Sequence, residues 1–384
     1  ILWAKKVSQG LNDNSGTYVH AMTTDQNLNF YVTGAYYGSI YFDSTLVTCP
    51  ACGPAGTAVF TAKYDSTGNL LWVKTGNGTT NQEVNTGISV AADTAGNCYV
   101  TGLFDGTTLF DTVALTSAGI AAGGDDAFIA KYNSTGNLMW AKRAGSPSAD
   151  NGNCIRVDNQ SNIYVCGNFD NTISFDSITL NGASLFLVKL DSNGTVIWAK
   201  QAGNLTNGDA ASISLGPNGD IYFSGRYTGT APFDAINLTS VGNSDLFLAK
   251  YNSAGQVIWA KSAGGLSGAD VAETTIIDSA GNCYIGGRFS NSSTFDGFTI
   301  TGGSGDIFVA KYDASGNALW AIPAGGSGND FAMSIGIDSL GDAYISDYSH
   351  SNPMNFDTIQ LSNPSTQAAI AYVAKVKQAS TLGT

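Results

Sequence analysis

The chain has 384 residues, a formal net charge of -13 and only 12% charged residues, with 47 Gly, 18 Phe and 17 Tyr. That balance excludes nucleic acid and anionic membrane surfaces as partners, since both require clustered Lys and Arg, and no run of about 18 apolar residues is present to span a bilayer. Of the 30 acidic residues only Glu83 and Glu273 are Glu; the rest are Asp, a turn former, so composition points to short strands and tight turns.

The predicted elements follow one repeating order. The chain opens on Ile1-Leu2-Trp3-Ala4-Lys5, a strand d with no strand c before it. Five more tryptophans, Trp72, Trp140, Trp198, Trp259 and Trp320, recur at intervals of about 60–70 residues, each opening a W-[AV]-[KI] step. In the second unit the patterning predicts strand a over 88–92, b over 98–104, c over 128–132 and d over 138–142. The a–b turn there is Asp93-Thr94-Ala95-Gly96-Asn97 and the c–d turn Asn133-Ser134-Thr135-Gly136-Asn137. Both suit a type I turn followed by a left-handed Gly. A Phe-Asp pair also recurs once per unit, from Phe42-Asp43 to Phe356-Asp357. The chain ends its pattern on Tyr372-Val373-Ala374-Lys375, a strand c with no Trp-bearing strand after it.

Four-stranded sheets of this size have two apolar faces, which radial stacking hides. The expected fold is therefore all-β, a single six-bladed β-propeller of four-stranded antiparallel blades, closed by the N-terminal strand (residues 1–6) completing the last blade. The blades are expected at about 17–75, 84–143, 152–201, 210–262, 271–322 and 331–378. The W-A-K steps, the D-x-x-G-N turns, the Y-[VI]-x-G steps (Tyr31 to Gly34, Tyr99 to Gly102) and the D-x-F-x-A-K-Y strands resemble the SBBP family of bacterial β-propeller repeats. That resemblance covers essentially the whole chain and implies an exported or cell-surface protein, common among Bacteroidetes. The chain is accordingly expected to be a piece of something longer, such as an adhesin or a larger surface assembly.

Both D-x-x-G turns fall on one face of such a blade, and the d–a and b–c connections on the other. The latter vary in length and sequence, so a ligand is expected there. Blades one and six hold the irregular residues: Tyr36, Tyr37 and Tyr41 in the first, and Tyr348, His350 and Asn352 in the last. Aromatic faces beside amides suit a glycan or a surface protein, although the same tyrosines could simply pack loops.

Cys49 and Cys52 are expected as a small loop disulfide, because a zinc site needs further Cys or His. Cys154 and Cys166 should face each other across the third blade's a–b hairpin, which makes them disulfide candidates if geometry allows. Cys98 and Cys283 read as small core residues. No cofactor or metal is expected; calcium wants six to eight oxygens, a density that even Asp125-Asp126 does not reach. No enzyme is expected either. There are two histidines, no nucleophile elbow, and no arginine trio like that of the sialidases, which are also propellers; Arg226 and Arg288 sit in equivalent slots and read as structural partners of Asp residues. The alternative to a binding module is a structural scaffold. Ser44, Ser66, Thr94, Thr112, Ser177, Ser279, Ser339 and Thr358 each follow an Asp and resemble the O-glycosylation sequon of Bacteroidetes exported proteins.

Overall fold

The computed structural model describes residues 4–10, 15–49, 52, 56–80, 83–119, 124–203, 209–362 and 369–377. Among these residues every regular element is a β-strand. The fold is a β-propeller of four-stranded antiparallel blades, divided into two compact units, residues 1–201 and 202–384. The second sheet illustrates the plan: a is Thr86–Ala92, b Cys98–Phe104, c Asp126–Tyr132 and d Leu138–Ala144, paired in the order d-c-b-a. The third sheet repeats it with Asp150–Val157, Ile163–Phe169, Ser184–Leu190 and Val196–Ala202. In the sixth sheet Ser334–Ile337, Ala343–Ser349 and Ile370–Val376 pair as a, b and c. The strand expected to complete it falls partly on residues 1–3, outside the described residues.

The turns form because an Asp carboxylate replaces missing backbone partners. Asp93 Oδ1 accepts the N–H groups of Ala95 and Asn97, while Oδ2 accepts the Asn97 amide and the Tyr99 hydroxyl. Burial pushes the Asp93 carboxyl up, but these hydrogen bonds outweigh it and hold the group below its ordinary value. A depressed folded value means stability present above the ordinary carboxylate range and lost as pH falls through the folded value. Asp93→Ala should therefore lower stability by about 2 kcal/mol at pH 7. In urea unfolding at pH 3 the difference from wild type should shrink.

The recurring Phe-Asp pair marks a feature that the sequence reading placed among variable loops. Every b–c connection is itself a β-hairpin, for example Thr107–Phe110 with Val113–Thr116 and Thr172–Phe175 with Ile178–Asn181. The Asp opens its two-residue loop with φ between +46° and +51° in all six copies, a conformation that Asp tolerates better than most residues. The Phe buries its ring against the strand-c Phe, as in Phe110 on Phe128 at 4.9 Å and Phe175 on Phe186 at 5.0 Å. The hairpin also pairs with the end of the preceding strand d: Thr108 partners Gly78 and Phe110 partners Gly76. An otherwise open sheet edge is thereby covered.

Neighbouring sheets are stitched at three points. Strand-d lysines reach the hairpin Asp of the next sheet, Lys74 to Asp111 at 3.2 Å and Lys142 to Asp176 at 2.9 Å. Asp176 also accepts the Val196 N–H at the start of its own strand d. Tryptophan Nε1 donates to the c–d turn of the next sheet, Trp72 to the Ser134 carbonyl at 3.2 Å and Trp259 to that of Ala314 at 3.2 Å. Strand-c lysines cover the strand-b tyrosine ring and reach the same turn, as Lys131 does over Tyr99 and to Ser192. Lys5 pairs with Asp43 at 2.7 Å, and Gln9–Gly10 pairs with Tyr41 and Ile40 in the first sheet's hairpin. The segment after Trp3 thus makes to the first sheet the contacts that strand d of the first sheet makes to the second.

Candidate functional site

One slot explains why the sixth sheet departs from the pattern. Strand b carries a Gly at its fifth position in sheets one to five: Gly34, Gly102, Gly167, Gly225 and Gly287. A Cβ there would lie 1.8–2.0 Å from a strand-a carbonyl oxygen, Thr86 in sheet two (1.9 Å) and Val271 in sheet five (2.0 Å) among them. Strand a is also bulged opposite each of these glycines, turning out one extra residue: His20, Ile88, Asn153, Ala211 and Glu273. In sheet six the slot holds Asp347. Strand a is shortened to Ser334–Ile337, and Asp347 instead accepts the Met333 N–H through its side chain.

The displaced residues build an aromatic stack on the d–a/b–c face of the second unit. Phe331 lies on Tyr348 with centroids 4.5 Å apart and planes 25° apart. His350 stands edge-on to Tyr348 at 5.5 Å, and its backbone N–H donates to the Asn329 carbonyl. On the other side the Arg288 guanidinium sits 4.7 Å from the Phe331 centroid and pairs with Glu273 at 3.0 Å. Tyr348 is 38% exposed and Met333 59%; His350 and Asn352 are also exposed. A cation, a carboxylate, two stacked rings and an imidazole therefore stand in one row at the surface. The arrangement offers ring edges for apolar contact and charged groups for hydrogen bonding.

Of the residues singled out from sequence, Tyr348 and His350 meet in this row. Glu273, Arg288 and Phe331 were missed as site members; the signal available was Asp347 standing where five other units carry Gly. Tyr36, Tyr37 and Tyr41 lie in the first unit. Tyr36 is a correction: it is fully buried, and its hydroxyl donates to Asn77 and to the Thr48 carbonyl, so it packs the hairpin and offers no open face. Burial pushes its phenol up. Tyr37 is half-buried beside Tyr18, at 6.3 Å, and Tyr41 is half-buried in the hairpin.

Cys49 and Cys52 are joined as a disulfide. Cys154 and Cys166 require a second correction. They are cross-strand partners, as expected for the hairpin, but the two buried thiols are not joined as a disulfide. Burial and a hydrogen bond to Cys154 push the Cys166 thiol well up, which disfavours the thiolate that disulfide formation requires. Arg226 pairs with Asp209, and Arg288 with Glu273 rather than with an Asp. All eight hydroxyl residues of the Asp-Ser/Thr steps are exposed: Ser44, Thr112, Ser177 and Thr358 in hairpin loops, and Ser66, Thr94, Ser279 and Ser339 in D-x-x-G turns. Among the described residues no group of three or more His, Cys, Asp or Glu side chains is arranged to hold a metal ion.

No protein-family model matches the chain. It is 27% identical over 92% of its length to an uncharacterized WD repeat-containing protein of Acanthamoeba polyphaga mimivirus, and spans 31% of that relative. It is 24% identical over 35% of its length to the regulatory protein FlaEY of Caulobacter vibrioides, spanning 15% of it. Among solved structures, a protein of unknown function from Bacteroides caccae covers 83% of this chain and 95% of its own at 11% identity and a TM-score of 0.37. A gluconolactonase from Xanthomonas campestris covers 83% of this chain and 86% of its own at 11% identity and a TM-score of 0.34. The chain is thus similar over most of its length to one much longer repeat protein, and the functional reading rests on its own residues.

Proposed function

We propose that this chain is a non-catalytic binding module of an exported or cell-surface protein of the SBBP repeat type, taking a glycan on the face that carries Arg288, Phe331, Tyr348 and His350. The observation behind this reading is that the one blade breaking the glycine rule exposes an aromatic row instead of a regular bulged strand. Sugar rings present apolar faces and hydroxyls together, and an exposed tyrosine with an imidazole on one side and, beyond Phe331, a guanidinium–carboxylate pair complements both. The eight exposed hydroxyls following Asp are proposed O-glycosylation positions. None of them belongs to the row.

A glycan-array assay on the purified chain tests this, with and without calcium, beside Tyr348→Ala/His350→Ala and Tyr37→Ala variants. Binding that the first variant weakens at least tenfold, about 1.4 kcal/mol, and that Tyr37→Ala leaves unchanged is expected. Unchanged binding in the first variant would remove the site. No binding to any glycan by the folded wild type would favour the structural alternative, in which the row only packs a loop.

A further inference from the structure

The d–a connections of the candidate face are tied down by buried acids in pairs. One acid lies in strand c close to the c–b pairing end and the other at, or just before, the start of the next strand a: Asp126 with Asp150, Asp245 with Asp270, Asp306 with Asp330. Asp126, Asp150, Asp270 and Asp330 are 0% exposed, Asp245 2% and Asp306 6%. The Gly that closes each A-G step makes room for the first acid. A Cβ on Gly145, Gly264 or Gly325 would come within 2.4 Å of the Asp126, Asp245 or Asp306 carboxylate. The second acid accepts backbone N–H groups from two loops at once: Ser146 and Asp170 for Asp150, Gly265 and Ser290 for Asp270. Asp330 instead takes the Ser349 and Ser351 hydroxyls and the Ser351 N–H.

Two adjacent carboxylates out of water cannot both carry full charge cheaply. Asp126 and Asp245 each leave Oδ1 buried without a hydrogen-bond partner, which costs far less for a neutral acid than for an anion. The junction between sheets one and two is a natural comparison. There Ala58 replaces the first acid and Asn85, a neutral isostere, replaces the second while accepting the Asp105 N–H and the Thr108 hydroxyl.

We propose that each pair is a proton-holding clamp, in which at least one carboxyl stays neutral in the folded protein, and that loss of this proton loosens the d–a loop and hairpin it ties. The charged groups facing the pairs act as follows. Arg143 meets Asp126 at 2.9 Å and favours its anion, whereas Asp125 opposes it; Asp105 in turn faces Asp125. Asp126 faces Asp150, Asp245 faces Asp270, and Asp330 faces Asp306. Burial is the largest influence, carrying Asp126 up to about 6 and Asp150 and Asp270 up to about 7 despite their hydrogen bonds. Because folded values are raised, this contribution is complete below the ordinary carboxylate value and is lost as pH rises through about 6–7.

The test is thermal unfolding of the full chain at pH 5 and pH 8.5, beside Asp150→Asn/Asp270→Asn. Wild type should lose about 5–10 °C in Tm between the two, and the variant at least half less. An equal or higher wild-type Tm at pH 8.5, or a variant with the wild-type slope, would overturn the proposal. Should the variant not fold, infrared spectroscopy of wild type decides. A protonated-carboxyl band present at pH 6 and gone at pH 8.5 supports the clamp, and its absence at pH 6 refutes it.

Discussion

Replacing Phe186 by Ala is expected to cost about 3–5 kcal/mol, measured as a shift in the denaturant midpoint at unchanged slope. Phe186 sits in the middle of strand c of sheet three with 0% exposure. Its ring lies 5.0 Å from that of Phe175, the hairpin Phe of the same unit. It shares a buried cluster with Ile155, Val165, Phe169, Ile173 and Val188. The truncation therefore removes a ring from between the sheet and the hairpin that covers the neighbouring edge, and the hairpin's own Phe cannot fill the space without leaving its strand register. A loss under about 1 kcal/mol would mean that the hairpins are accessory to the fold.

Gly167→Ala is expected to be the most damaging single methyl addition, on the order of 3 kcal/mol. The new Cβ would meet the Asn151 carbonyl oxygen at 1.8 Å and the Phe186 ring at 2.7 Å. The first obstacle is backbone, so strand a must retreat, as it does in sheet six, where Asp347 occupies the equivalent slot. The second obstacle is a side chain. Combining Gly167→Ala with Phe186→Ala should relieve only that part, giving a double-mutant coupling of about 1 kcal/mol with most of the Gly167→Ala cost retained. Full relief would show that the ring, not the carbonyl, is what demands glycine.

The same slot shows how far the candidate site was legible. Asp347 stands in the sequence where Gly34, Gly102, Gly167, Gly225 and Gly287 stand in the other units. The consequence for Phe331 is not legible, because it depends on which carbonyl the slot faces across the hairpin. Tyr348 and His350 could be picked out as irregular aromatics. Their partners Arg288 and Glu273 come from the preceding sheet, and no spacing rule in one chain says which sheet stacks on which side. Tyr36 failed as a candidate for a related reason. Strand b is buried on both faces as far as Tyr36, whose hydroxyl finds Asn77 from another strand.

The cysteines divide in the same way. Counting out from the Asp158 turn sets Cys154 opposite Cys166, because hairpin register follows from the turn. Whether they bond depends on local geometry and burial, which the count does not contain. The hairpins folded back from every b–c link are a second instance. The Phe-Asp signal was visible six times, but such an Asp, four times before Ser or Thr, reads as an ordinary turn until the covered strand edge is seen in place.

By itself the sequence determined the all-β class, the four-stranded repeat and the turn positions, since these follow from local chemistry repeated six times: alternation, Asx capping and glycine at left-handed positions. Only the tertiary structure decided what the repeats' exceptions do. The stacked row on Phe331, the inter-sheet lysine and tryptophan stitches and the paired buried acids all join residues from different sheets. Contacts of that kind depend on the distance between sheets, which no periodicity along the chain encodes.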